Sequence, residues 1–583
     1  MNNTAWKMYV FRDGKYEASG AELVSSLHDA LCRAQSAPEP ECEDCLLGAL
    51  IAAGKLECAL LDAKSDDSLL DLSCSLASLI TDGLARAFLA GRRDSLPSIF
   101  QLTERLAVGA RYQATVEEGF AYYALHPRTL ATFVDQMLLD GRLAQGGERP
   151  VRVLGIRSIG VTLGAVACAA LALRGIDCRR MSVRPVGDPY DRKLHTSPRL
   201  RQWVEAAADA DFLVVDEGPG ISGSSFLAAA EALESCGADN SRIHLIGSRQ
   251  PEQPAHLLAR DAMRRWQRFL FHALPAEPLL PAGAGENISG SARWSYFPCP
   301  AEVVPGSWTP LEPAAYLSQD RSSTFIFAGF GHYGEAAGAN SQVLSYAGFA
   351  PRYLGCSRGF IETSLVPGRL LSVADNSPEL LSRMAAYLAF RGKAFAVTVS
   401  QTPELEIMLR RNWQLEFGEE LAINPSRLRA ERVVVCDGRM MPYEWLRTDA
   451  GELLKLNSGS HGDNHFFPGP CDIAWDVAGC IVEWELQGEA CQQLIEEYAR
   501  RSGDAIAARL APYLLAYSTF RMAFSSMAAA AMEGTPDAAG LARDYRKYRA
   551  LALRLRSPHP LPQAAEAASE PDTEPLRSSQ RAS

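Results

Sequence analysis

Between Arg149 and Arg268 the chain alternates short apolar runs with Ala-rich or amphipathic stretches, and this alternation constrains the fold more than any other feature. Residues 151–156, 181–186, 212–215 and 243–246 read as strands. Residues 161–173, 199–208, 224–235 and 255–268 read as the helices between them. Strand and helix in strict alternation predict a parallel sheet with right-handed crossovers and helices on its faces.

The chain has 583 residues, too many for one hydrophobic core, so two to four domains are expected. The reading is an α/β multidomain protein. Residues 1–147 are mostly helical, 148–273 form the parallel-sheet domain, and 274–315 are a Pro-, Gly- and Ala-rich linker. Residues 316–556 mix strands with long helices as a carboxyl-terminal α+β domain, and 557–583 form a disordered tail poor in large apolar groups. The net charge of −11 gives no basic footprint, so nucleic acid is not an expected partner. The longest apolar run, 159–173, falls short of the roughly 18–20 residues that cross a bilayer. With no signal peptide at the amino terminus, the expectation is a cytoplasmic protein without a membrane partner. Of 14 cysteines only Cys42 and Cys45 form a CxxC pair, with Cys32 and Cys58 as loose neighbours. Reduced thiols are expected there rather than zinc. The aromatic stretch with Phe120, Tyr122, Tyr123 and His126 is expected to pack in a core or between domains.

The strand at 212–215 runs into Asp216-Glu217-Gly218-Pro219-Gly220-Ile221-Ser222-Gly223-Ser224-Ser225. Such a strand delivers Asp216 and Glu217 to the carboxyl edge of the sheet, where open α/β folds bind ligands. Gly218, Gly220 and Gly223 allow close backbone approach, Ser222, Ser224 and Ser225 supply hydroxyls, and the amides opening the next helix favour a phosphate. The stretch resembles the phosphoribosyl-diphosphate motif of type I phosphoribosyltransferases. Counting back from Ser222, the first acidic position falls on Glu217 and the second on Gly218, with Asp216 one residue earlier. Two further segments follow the family's order. Arg157, Ser158 and Gly160 stand where it has a diphosphate loop, and Arg184, Arg192 and Lys193 where it has a mobile cationic loop. The resemblance covers about residues 149–270. It implies phosphoribosyl diphosphate or a related nucleotide as ligand, with Mg2+, and Glu217 and Asp216 on the ribose hydroxyls.

A second informative stretch is Ser460-His461-Gly462-Asp463-Asn464-His465, followed by Asp476 in an apolar setting. It resembles the aminoglycoside-phosphotransferase-like branch of the kinase fold, over about residues 316–550. The resemblance implies Asp463 as the base for an acceptor hydroxyl, with Asp476 holding magnesium on ATP; Asn464 or His465 is the substitute for the family's further metal ligand. Residues 359–368 resemble the strand and hinge between two lobes. The sequence departs from the pattern at Pro468, where an Asn is usual, and has no lysine in the strand 324–328. The expected function is a phosphoribosyltransferase-like enzyme fused to a small-molecule kinase-like domain with an unspecified acceptor. A non-catalytic sensor of a phosphoribosyl metabolite and an ATP-dependent phosphotransferase are the alternatives.

Overall fold

The structure, a computed structural model, describes residues 4–64, 71–207, 209–220, 222–248, 259, 261–297, 304–398, 402–421, 428–459 and 465–556. The tail 557–583, Asp463 and Asn464 lie outside the described residues. The chain forms two compact units. The first comprises Phe11–Pro367 and Leu454–Phe467; the second comprises Met1–Val10, Gly368–Leu453 and Pro468–Ser583.

The first unit opens with β1 (Lys15–Ala18), paired antiparallel with β2 (Tyr112–Thr115). The helices α1 (Gly20–Ser36), α2 (Cys42–Asp62), α3 (Leu72–Ala90), α4 (Leu96–Thr103), α5 (Glu118–Ala121) and α6 (Pro127–Leu139) complete the helical region. Ser19 and Glu22 form a capping box that starts α1, satisfying amides that the first turn leaves unpaired. By length and composition α3 could cross a membrane, but it packs against α2 and α7.

The alternating region then gives β3 (Val151–Ile156), α7 (Ile159–Leu173), β4 (Cys178–Val183), α8 (Pro198–Glu205), β5 (Asp211–Val215), α9 (Ser224–Ser235), β6 (Ile243–Gly247), α10 (Ala262–Trp266) and β7 (Leu270–Ala273). The strands lie in the order β4-β3-β5-β6-β7 and all pair in parallel. Every residue of β3, β5 and β6 is buried, as central parallel strands are when helices cover both faces. On one face α7 is itself overlaid by α2, α3 and α6. That explains its Ala-rich, all-round apolar sequence, since a helix enclosed on every side needs no polar stripe. Gly54 of α2 sits where a Cβ would come 1.9 Å from Thr162 Oγ1 of α7, so a side chain there would force the two helices apart.

The expected linker is corrected by the structure. Residues 274–315 contain β8 (Ala284–Asn287), an edge strand of a five-stranded antiparallel sheet. Ala-Gly-Glu-Asn has no alternating apolar pattern, because an edge strand of four residues needs only its backbone to pair. The sheet runs β11-β12-β10-β9-β8, with β9 (Ala315–Ser318), β10 (Ser323–Phe327), β11 (Tyr353–Ser357) and β12 (Phe360–Ser364), and α11 (His332–Tyr346) joins β10 to β11. The boundary expected at 273 does not divide the molecule either: helical region, parallel sheet and antiparallel sheet belong to one unit.

The second unit holds β13 (Gly368–Leu370), α12 (Pro378–Ala394), α13 (Thr402–Phe417), β14 (Val433–Val434) and β15 (Trp445–Thr448). β16 (Leu453–Lys455) joins β13 and β15 in a three-stranded sheet. β17 (Cys471–Asp472) pairs with β14, and the helices α14 (Ala474–Glu483), α15 (Gly488–Ser502), α16 (Ala507–Ala531) and α17 (Asp537–Leu555) complete it. Helices α14 and α15 are parted at Glu485 and Gly488, both with positive φ.

Candidate ligand site at the carboxyl edge of the parallel sheet

The strand order creates a crevice. The chain leaves β3 toward β4 on one side and reaches β5 on the other, so the loops after β3 and β5 flank a topological switch point, the usual ligand position in open parallel sheets. These loops are the two singled out by sequence, 157–160 and 216–225. The turn from β3 into α7 is tight enough to require glycine at both ends. A Cβ on Gly155 would come 2.1 Å from the Gly160 carbonyl oxygen, and one on Gly160 would come 2.7 Å from that of Val215. Between them Ser158 has φ 113° and ψ −120°. A serine there costs about 1–3 kcal/mol, and such strain persists where the surrounding structure over-determines it.

Asp216 and Glu217 stand at the mouth of β5, both half-buried. The Glu217 amide donates to Asp216 Oδ1 at 2.9 Å. Burial pushes Asp216 up to about 7, against the Glu217 amide, Arg184 and Arg192, and Glu118 adds to the rise. Glu118 is raised to about 7 as well, again chiefly by burial. A Cβ on the adjoining Gly119 would come 3.2 Å from Glu217 Cγ and 2.6 Å from Ile159 Cδ1. The start of α5 thus closes onto the crevice. Two carboxyl groups that exchange protons near neutrality suit general acid–base work or hydrogen bonding to hydroxyls.

The cations converge on the same edge, but they already have partners. Arg157 Nη1 lies 3.2 Å from Asp62 Oδ1 at the end of α2. Arg184 also binds Asp62, with Nε 3.2 Å from Oδ1 and Nη2 on Oδ2, and Nη2 lies 3.3 Å from Cys58 Sγ. Arg192 donates to the Pro185 carbonyl at 3.3 Å, and Lys193 pairs with Asp191 at 2.8 Å. Mutual backbone bonds between Val186 and Lys193, both 2.8 Å, pinch the 184–193 loop. Ser222 and Ser224 donate to its Pro189 carbonyl at 2.8 and 2.7 Å, tying it to the start of α9. Gly223 caps α9 in the left-handed region, Ser225 lies in that helix's first turn, and Gly218 packs on Ser248. Gly220 has φ +58° in the connecting turn. Every residue expected at this site thus reaches one edge of one sheet.

Sequence reasoning missed the contribution of the helical region. Besides Asp62, α2 supplies Glu57, which takes Arg180 in a bidentate pair at 2.8 and 2.9 Å. It also supplies Lys55, whose Nζ lies 2.9 Å from His332 Nε2, 2.9 Å from Tyr333 Oη and 3.4 Å from Glu117 Oε2. Tyr333 donates to Glu117 at 2.5 Å. Burial opposes the charge on Lys55, yet Glu117 and Tyr16 hold it above its usual range. Burial first, then Lys55, presses His332 down to about 3. The available signal was Lys55 and Glu57 standing inside the apolar run 46–61.

In the second unit Asp476 does not have the setting of a metal ligand. It is fully buried, and its two oxygens accept the amides of Asp437 and Gly438 at 2.8 and 2.9 Å. Arg391 Nε lies 3.9 Å away. Burial raises Asp476 to about 6, with Arg391 opposing and Asp437 adding to the rise. The carboxylate anchors a loop inside a core. Further along that loop Arg439 and Glu444 form an ion pair at 2.9 Å. Among the described residues no group of three His, Cys, Asp or Glu side chains is placed to hold a metal, Cys42 and Cys45 included.

No family model matches this chain, and no curated protein matches it. Solved structures with partial similarity include the choline kinase LicA from Streptococcus pneumoniae. It is 11% identical, with 42% of this chain and 89% of that chain covered at a TM-score of 0.31. A choline/ethanolamine kinase family protein from Mesorhizobium loti is 12% identical, covers 42% and 88%, and has a TM-score of 0.31. The GDP complex of aminoglycoside 2'-phosphotransferase-IIIa is 13% identical, covers 42% and 89%, and has a TM-score of 0.29. These similarities concern part of the fold. The chain itself is a multidomain α/β protein built on a parallel sheet.

Proposed function

We propose that the crevice between β3 and β5 binds a phosphorylated ribose compound, with phosphoribosyl diphosphate as first candidate, and that the chain is a transferase acting on it. The carrying observation is that both loops with phosphate-loop character flank the single switch point of the sheet. Asp216 and Glu217 accept the ribose hydroxyls, and amides at the start of α7 and α9 face the phosphate oxygens. Asp216, titrating near 7, also holds or releases a proton at the sugar. Magnesium fits here, because that ion keeps most of its water and takes one or two carboxylates plus substrate phosphates. Asp216 and Glu217 would hold it, and it would supply charge neutralisation of the diphosphate. Arg157 and Arg184 reach the ligand by exchanging Asp62 for a phosphate, and the 184–193 loop covers it by releasing Ser222 and Ser224.

Titration calorimetry with phosphoribosyl diphosphate, with and without magnesium and beside ATP, tests this reading. Magnesium-dependent binding that weakens about 10- to 100-fold in Glu217→Gln is expected for loss of a charged hydrogen bond. Equal binding by wild type and Glu217→Gln, or binding of ATP alone, overturns it.

A second reading, ATP-dependent phosphotransfer to a small molecule, has its own observation. An antiparallel sheet with α11 precedes a largely helical unit, and the division at Pro367 and Gly368 falls in the stretch that resembles a hinge. Phosphate transfer from ATP that disappears in Asp463→Asn supports this reading; transfer that survives the substitution overturns it.

A further inference from the structure

Cys168 of α7 and Cys178, the first residue of β4, bring their sulfurs to 2.6 Å. A covalent S–S bond is about 2.0 Å, so a displacement of a few tenths of an ångström joins them. Both residues are half-buried and both line a cavity of about 400 Å3, together with Asp82, Arg180, Met181 and Ser182. The contrast is the pair Cys436 and Cys471 in the second unit, 3.5 Å apart with both residues buried. The first pair combines close contact with a position on the wall of that cavity.

We propose that Cys168 and Cys178 form a reversible thiol–disulfide site oxidised by small hydroperoxides that enter through this cavity. The hydrogen bond with Cys178, then burial, raises the Cys168 thiol, and the attack is assigned to the sulfur of Cys178, on the edge strand β4 of the sheet. Its sulfur takes the distal peroxide oxygen, the O–O bond breaks, and hydroxide or alkoxide leaves with the electron pair. The product is a sulfenic acid on Cys178. The Cys168 sulfur then attacks it, the S–O bond breaks, and the Cys168 proton leaves with the hydroxyl as water. The pair loses two electrons and the peroxide gains them. A dithiol reverses the reaction by exchange. The bond joins the helix that starts at Ser158 to the strand that runs into Arg184, so it stiffens the two elements on one side of the crevice. The proposal does not depend on what that crevice binds.

The test uses the full chain treated with equimolar hydrogen peroxide, alkylated with iodoacetamide and digested with trypsin without reduction. The expected product joins the peptide 158–174 to the peptide 175–179, with the mass of two hydrogens lost and full reversal by dithiothreitol. Recovery of both cysteines alkylated, or disulfides formed by other pairs instead, overturns the assignment. In Cys168→Ser, Cys178 should accumulate as a dimedone-reactive sulfenic acid; an inert Cys178 there overturns the proposed order of attack.

Discussion

Asp216 and Asp476 are both carboxyl groups raised by burial, to about 7 and about 6, and they stand in opposite situations. Asp476 lies in a closed core, its oxygens taken by two amides with Arg391 beside it. Asp216 is half-buried in a crevice beside a strained turn, with a second raised carboxyl group, Glu118, close by. A raised pKa therefore marks a functional group only where the geometry leaves something for it to do. In the first setting the carboxylate holds a loop; in the second it lines the crevice for which a ligand is proposed.

The comparison can be broken by substitution. Asp476→Ala should cost about 3–5 kcal/mol, because it removes one of the two carboxylates beside the buried Arg391 and the acceptor of the Asp437 and Gly438 amides. Thermal or urea unfolding measures this, and a loss below about 1 kcal/mol would remove the anchoring role. Asp216→Ala should lower stability far less and weaken ligand binding instead. If the two variants exchanged these behaviours, the assignment of core and site would be reversed.

The contact between α2 and α7 supports the crevice from behind. Gly54→Ala should cost about 1–3 kcal/mol by overpacking, given the 1.9 Å approach to Thr162 Oγ1. Most of that loss should return in the double variant with Thr162→Ala, measured as a thermodynamic cycle. Additive losses would show that the helices do not meet there.

Ser158→Gly should raise stability by about 1 kcal/mol, because glycine adopts φ 113° without the cost borne by serine. The same variant should bind phosphoribosyl diphosphate more weakly if the strained turn preorganises the amides of α7. A stability loss would mean that the turn is not strained.

A further effect concerns pH. Asp216 and Glu118 bind protons more tightly folded than unfolded, so between about pH 4 and pH 7 the folded state carries more protons. Stability from these groups is present at the acid end and falls as pH rises toward 7. Asp216→Asn should flatten that part of the melting-temperature profile, and an unchanged slope would place the titration elsewhere.

The alternating runs from 151 to 246 determined the parallel sheet, since short strands buried on both faces read as continuous apolar segments between the longer helical ones. The loops 157–160 and 216–225 were legible as turns, because glycine and short polar residues after an apolar strand end it and open the next helix. Other features were invisible in the sequence. Four residues of β8 carry no pattern, because an edge strand is held by its backbone. Asp463 and Asp476 were paired by a motif resemblance, whereas the amides that Asp476 accepts, from residues 437 and 438, are distant in the chain. Likewise Asp62 and Glu57 read as ordinary charges on a helix until the fold set them against Arg157, Arg184 and Arg180. Local sequence determined which elements form and where the glycine-rich turns lie. Tertiary structure alone decided which charges are already neutralised, because burial and pairing depend on neighbours distant in the chain.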